Sequence, residues 1–139
     1  MKIMCVDLGL ARTGVAISDI TESFAFPDSV ITERNPQRLI ERLCLKAKEL
    51  SAELIVVGLP RNMDGSEGFR AEECRASAKD LEAACKIPVV LWDERCTTLS
   101  AHTVLNMNDT KGKKRKETVD AVAAVMILED YLTFRKNQR

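Results

Sequence analysis

Residues 54–58, L-I-V-V-G, contain no polar side chain. A strand sends successive side chains to opposite faces, so such a run must be covered on both sides. That requirement excludes a sheet with one wet face. It predicts helices above and below, and parallel neighbours for this strand.

The rest of the chain supplies the matching elements. Residues 3–7 read as a buried strand, L-G-L-A at 8–11 as a tight turn, and T-G-V-A-I-S at 13–18 as a strand pairing back on the first. Residues 24–32 form a third extended stretch, completing an antiparallel meander. Asn35 then caps a helix with Pro36 at its first position, where proline's missing N–H costs nothing. Its apolar stripe is Leu39, Leu43, Ala47 and Leu50. After the turn-rich residues 59–68, a second helix runs to Cys85 with Ala71, Cys74, Ala78, Leu81 and Cys85 on one face. Residues 87–92 form a fifth strand. Thr97 or Thr98 can cap a third helix through Leu105, residues 106–116 are polar and basic, and a last helix spans about 117–134. The order β-β-β-α-β-α-β-α-α predicts an α/β fold. Its mixed five-stranded sheet has three antiparallel strands, then two parallel ones, with helices on both faces. A chain of 139 residues with no long linker is expected to form one domain over 1–139.

Composition excludes several function classes. No apolar run approaches the roughly 20 residues that span a bilayer. The first residues enter a strand without a signal-peptide layout. The five cysteines (5, 44, 74, 85 and 96) contain no C-x-x-C pair, so no disulfide or zinc framework is expected, and a reducing cytoplasm fits. The formal net charge is zero, so affinity for a polyanion must come from local patches.

Three carboxylates occupy unusual places. Asp7 ends the first apolar strand, Glu94 follows the fifth after Asp93, and Asp120 lies on the stripe of Ala124, Ile127 and Tyr131. An acid at a buried strand end is costly unless a cation compensates it. Several acids converging on one point suit a hard divalent ion such as Mg²⁺. Each acid also has an ordinary explanation: a turn cap at Asp7, a charged loop at Glu94, a helix-dipole partner at Asp120. Their joint occurrence favours the metal. Alternation sends Asp93 and Glu94 to opposite faces, so only one of them can join Asp7. Lys111, Lys113, Lys114, Arg115 and Lys116 put five cations in six residues directly before the last helix. Alone they read as a solvated loop; beside a metal site they would neutralise phosphates. Arg70 and Arg75, with Arg61 and Asn62, can add a second cationic edge near the same rim. His102 reads as a packing or surface residue, Cys96 as structural, and Tyr131 and Phe134 as core.

Four blocks together resemble the YqgF/RuvX family of the RNase H-like superfamily. They are D-L-G-L-A-R-T-G-V-A-I-S-D (7–19), V-G-L-P-R-N-M-D-G-S-E-G (57–68), W-D-E-R-C-T-T (92–98) and K-E-T-V-D-A-V-A-A (116–124), the last leading into I-L-E-D-Y-L (127–132). The resemblance implies a bacterial cytoplasmic metal-dependent nuclease. Two activities go with the family: maturation of the 5′ end of the 16S rRNA precursor, and resolution of Holliday junctions. It implies catalytic and metal-ligating roles for Asp7, Glu94 and Asp120, with one or two Mg²⁺ or Mn²⁺ ions. Arg12, Asn62, Arg95 and the cations at 111 and 113–116 become candidate nucleic-acid contacts. Precursor rRNA is the favoured partner and branched DNA the alternative. Ribosomal precursor particles are further candidate partners, no membrane is expected, and the chain would be a monomer or weak homodimer. Thr13 and Cys96 stand where the family more often has aliphatic residues, a matter of packing. Unlike the junction resolvase RuvC, the chain has no acid at 123 or 124, so a second ion would draw on substrate phosphate.

Two readings from other classes remain. D-x-G at 7–9 with Gly14 also resembles the first phosphate loop of actin-like ATPases and sugar kinases, which need a second lobe. A catalytically silent RNA-binding or ribosome-assembly module would not require all three acids.

Overall fold

The computed structural model describes residues 1–9, 11–60, 68–93 and 112–138, without the side chains of 69 and 112–120. Its elements are β1 (Ile3–Leu8), β2 (Arg12–Ser18), β3 (Ala25–Thr32), α1 (Pro36–Glu49), β4 (Leu54–Leu59), α2 (Phe69–Cys85), β5 (Val89–Asp93) and α3 (Gly112–Gln138). The strands form one sheet ordered β3-β2-β1-β4-β5. β1 pairs antiparallel with β2 and parallel with β4; β2–β3 is antiparallel and β4–β5 parallel. This is the expected mixed sheet.

Alternation along the central strands separates two cores. Met4, Val6, Ile55 and Val57 pack with Leu39, Leu43 and Ala47 of α1 and Ala78 and Leu81 of α2. Ile3, Cys5, Leu54 and Val56 face the other way, against Ala124, Ile127, Leu128, Tyr131 and Leu132 of α3. All six residues of β4 are buried, as an apolar run covered on both faces requires. Burying each large aliphatic side chain is worth about 1.5–3 kcal/mol. α1 starts as expected: the Asn35 side chain accepts from the N–H groups of Gln37 and Arg38 at 3.0 and 3.1 Å, with Pro36 next.

Three expectations need correction. β5 begins at Val89 and not at 87. Pro88 has no N–H to donate to a ladder, although its carbonyl accepts from Ile55 N at 3.0 Å. The last helix begins at Gly112, so 112–116 are helical and not loop; Lys and Arg are good helix formers despite their polarity. Cys44 and Cys85 form a disulfide between α1 and α2, with Cα atoms 5.2 Å apart. They flank the stripes by which the two helices pack and are 41 residues apart, so a search for C-x-x-C cannot see them. Closing a loop of that length stabilises a fold by about 4 kcal/mol on the chain-entropy account. Leu50 stands at the C-cap of α1 and packs on the same core as Leu39, Leu43 and Ala47, as the stripe predicts. The expected helix over 97–105 and His102 lie outside the described residues. Among the described residues no helix is long and apolar enough to cross a membrane.

Candidate active site

Asp7 lies near the end of β1, the central strand, and is half-buried. It continues the alternation of Ile3 and Cys5, so it faces the α3 layer. Its cross-strand partner on β2 is Gly14. On the other side, the β1–β4 register runs through Val6↔Val57, which makes Gly58 the next neighbour. Gly58 shares the face of Leu54 and Val56, and its partner on β5 is Trp92. Across the α3 face at this level the sheet therefore reads Gly14, Asp7, Gly58, Trp92. The carboxylate thus stands between two residues without side chains on this face.

The turn after Asp7 is closed tightly. A Cβ added at Gly9 would stand 2.2 Å from the carbonyl oxygen of Arg12, far inside contact distance, so only glycine fits. Arg12 opens β2 and is half-buried; with Gly14 and Ala16 it alternates onto the α3 face, that of Asp7.

α3 closes this face from the opposite direction. Arg135 Nε donates to Glu22 Oε1 at 2.6 Å, and Glu22 Oε2 lies 3.3 Å from the α-amino group of Met1. The C-terminal end of α3 thus sits where β1 begins. Asp120 lies fifteen residues back along α3, about 22 Å of helix. Asp7 lies six residues along β1, about 20 Å of strand. The backbone at Asp120 is therefore carried toward the end of the sheet that bears Asp7, one helical turn before the buried Ala124.

β5 ends beside the same helix. Trp92 Nε1 donates to Asp130 Oδ2 at 2.8 Å, and its ring packs edge-on against Tyr131, with centroids 5.4 Å apart, and against Phe134. Tyr131 is core, as expected; Phe134, also expected in the core, is instead 42% exposed, packing one side of its ring on Trp92 near the end of α3. Val90 and Trp92 face α3, and Leu91 faces the other layer; alternation turns Asp93 with Leu91, away from Asp7. Among the described residues no three His, Cys, Asp or Glu side chains converge as metal ligands. Glu94, Asn62, Arg95 and Lys111 lie outside the described residues, as do the side chains of Asp120, Lys113, Lys114, Arg115 and Lys116.

Arg70 departs from the expected cationic edge. Its Nη2 donates to the carbonyl of Leu8 at 3.0 Å, and its Nη1 pairs with Glu73. A side chain that reads as a surface cation is turned onto the tip of β1. No local sequence signal announces this, because donor and acceptor are 62 residues apart. The glycine flanks of Asp7 were legible in principle, as G-V-A at 14–16 and V-V-G at 56–58, once register was known.

This sheet order, with a carboxylate near the tip of its central strand and a helix over that face, defines an RNase H-like domain. The solved structures agree on fold. Thermus thermophilus RuvC in complex with a Holliday junction substrate superposes with a TM-score of 0.61 at 14% identity, over 99% of this chain and 96% of that one. A ROK hexokinase of the same species reaches a TM-score of 0.50 at 22% identity, over 76% of this chain but only 38% of its own. Beyond fold, the chain belongs to the RuvX family, described as Holliday junction resolvase, whose profile matches residues 1–134. A Listeria monocytogenes protein named "Putative pre-16S rRNA nuclease" is 45% identical over 134 residues, 95% of this chain and 97% of that protein.

Proposed function

We propose that this chain, as one nuclease domain over 1–139, hydrolyses phosphodiesters with divalent metal. Its favoured substrate is the 5′ region of a 16S rRNA precursor in the cytoplasm. The observation that carries the reading is the half-buried Asp7 between Gly14 and Gly58, facing the α3 layer at the sheet's rim. Membership of the RuvX family and the names of full-length relatives support it.

The donor chemistry fits a hard cation: a carboxylate oxygen donor at a strand end, with glycine on either side of it in the sheet. Asp7, Glu94 and Asp120 would hold one or two Mg²⁺ or Mn²⁺ ions. Alternation along β5 is the reason for choosing Glu94 over Asp93. Asp120 is chosen because it continues the stripe of Ala124 and Ile127. The ion, when bound, supplies an activated water and stabilises the leaving oxygen. The chain's own part is to present the Asp7 carboxylate at the end of β1 with no side chain at 14 or 58 beside it. Arg12, Asn62, Arg95, Lys111, Lys113, Lys114, Arg115 and Lys116 would neutralise backbone phosphates. The kinase alternative is disfavoured, because the RuvX profile matches residues 1–134, whereas the hexokinase likeness covers 76% of this chain and 38% of that enzyme.

Purified protein should be offered a ribosomal RNA precursor and four-way DNA junctions in Mg²⁺, Mn²⁺ and EDTA. We expect metal-dependent cleavage of the RNA, abolished in Asp7→Asn, which keeps size and removes charge. Preferential junction cleavage would shift the assignment to a DNA resolvase. Binding without turnover in any metal would leave an RNA-binding module. Wild-type turnover by Asp7→Asn would remove the metal mechanism.

A further inference from the structure

We propose that Arg70 is a positioning residue for Asp7, holding the tip of β1 so that the carboxylate is presented to the metal. The inference rests on the nuclease reading above and adds a residue that touches neither metal nor substrate.

The tip of β1 is poorly supported by the sheet. Register with β4 is recorded only as far as Val6↔Val57, whereas pairing with β2 continues to Leu8↔Thr13. The carbonyl of Leu8 lies past the last recorded β4 pair and takes its hydrogen bond from Arg70 instead, at 3.0 Å. A guanidinium–carbonyl bond is charge-assisted and stronger than the ladder bond it stands in for. The guanidinium is itself held by Glu73, one turn along α2. Beneath this pair, Leu8 packs on Leu59, Ala71 and Cys74, the last two fully buried on α2. On the other side, Gly9 closes against the Arg12 carbonyl. Leu8 is thus gripped from both directions immediately after Asp7, and a ligand's aim depends on such outer contacts.

A purely structural Arg70 would affect melting alone; a positioning Arg70 must affect metal affinity. Mn²⁺ binding should be titrated calorimetrically without substrate, alongside hydrogen exchange at the Leu8 and Gly9 amides. In Arg70→Ala we expect Mn²⁺ affinity to fall on the order of 10- to 100-fold, with faster exchange at both amides. Cleavage at saturating Mn²⁺ should stay within a few-fold of wild type. Arg70→Lys, which keeps one donor and the charge, should recover part of the affinity. Unchanged Mn²⁺ affinity in Arg70→Ala overturns the proposal, as does a wild-type chain that binds no Mn²⁺. A wild type that binds Mn²⁺ yet cuts nothing refutes only the nuclease reading, because the Arg70 comparison is read from binding.

Discussion

Asp7 and Gly14 face each other directly across the β1–β2 ladder. Directly opposed residues have Cβ positions about 5 Å apart, so any side chain at 14 would stand beside the carboxylate. Glycine there is a weakness for the strand, since it adds backbone entropy and packs nothing. What the strand gains in return is room beside Asp7.

That trade can be measured. Gly14→Val should keep the fold, because valine suits a buried strand, while metal-dependent cleavage falls on the order of 100-fold as the ligands are displaced. Melting temperature and cleavage rate checked together would decide it. A variant with full activity would show that the space over Gly14 is unused.

Thr13, one residue earlier, tests packing alone. It is 1% exposed, and among the described residues its Oγ1 has no hydrogen-bond partner. It pairs with Leu8 and Ile31, within the apolar layer under α1. A buried unpaired hydroxyl costs about 1–3 kcal/mol. Thr13→Val, nearly the same shape, should therefore raise stability by about 1 kcal/mol in chemical denaturation, where most core substitutions lower it. A loss of stability would mean that the hydroxyl has a partner after all.

The contact closing the sheet at its other end predicts an acid response. Arg135, by its hydrogen bond, is the main cause holding the Glu22 carboxyl below its usual 4.5, with the Met1 amine adding to it. Asp19 is held at about 2 against an ordinary 3.8, chiefly by the Thr21 hydroxyl and then by the Phe24 amide. Depressed carboxylates stabilise the fold fully above their unfolded values and lose that contribution as pH falls through the folded ones. Stability should thus decline below about pH 4.5, with the Asp19 part fading last, near pH 2. Glu22→Gln should flatten the upper part of that decline in melting curves between pH 5 and 3. An unaltered curve would place the loss on other carboxylates.

How much of this was readable beforehand depended on the range of each interaction. Periods of two and 3.6 residues are local, so β1, β2, β4 and the stripes of α1 and α2 could be drawn from neighbours in sequence. The capping of α1 by Asn35 spans three residues and was equally plain. The Cys44–Cys85 disulfide and the grip of Arg70 on Leu8 join residues 41 and 62 positions apart. Neither has a local signature, and a charged Arg on a helix ordinarily signifies solvent. The start of α3 differs from the sequence expectation for another reason. Polarity argued for a loop while the intrinsic preference of Lys and Arg argued for helix, and preference prevailed. For the site, Asp7 was visible as an acid out of place, but its flanking glycines became meaningful only with the register of three strands.

The early start of α3 changes what its cations are expected to do. Lys113, Lys114, Arg115 and Lys116 fall in the first turns of the helix, where the positive end of the helix dipole disfavours cations. A phosphate backbone would relieve both that repulsion and the repulsion among the cations, releasing counterions as it binds. Replacing Lys113, Lys114 and Arg115 by Ala should therefore weaken nucleic-acid affinity. The slope of log affinity against log salt should shrink by about 2–3, since each neutralised phosphate contributes about 0.7–0.9. Alanine is the stronger helix former, so helicity should hold or rise, and circular dichroism would separate lost charge from a lost helix. The cleavage rate at saturating substrate should change much less than affinity, because the carboxylates are untouched. Unchanged affinity and salt slope in the triple variant would show that these cations merely solubilise the first turns of α3.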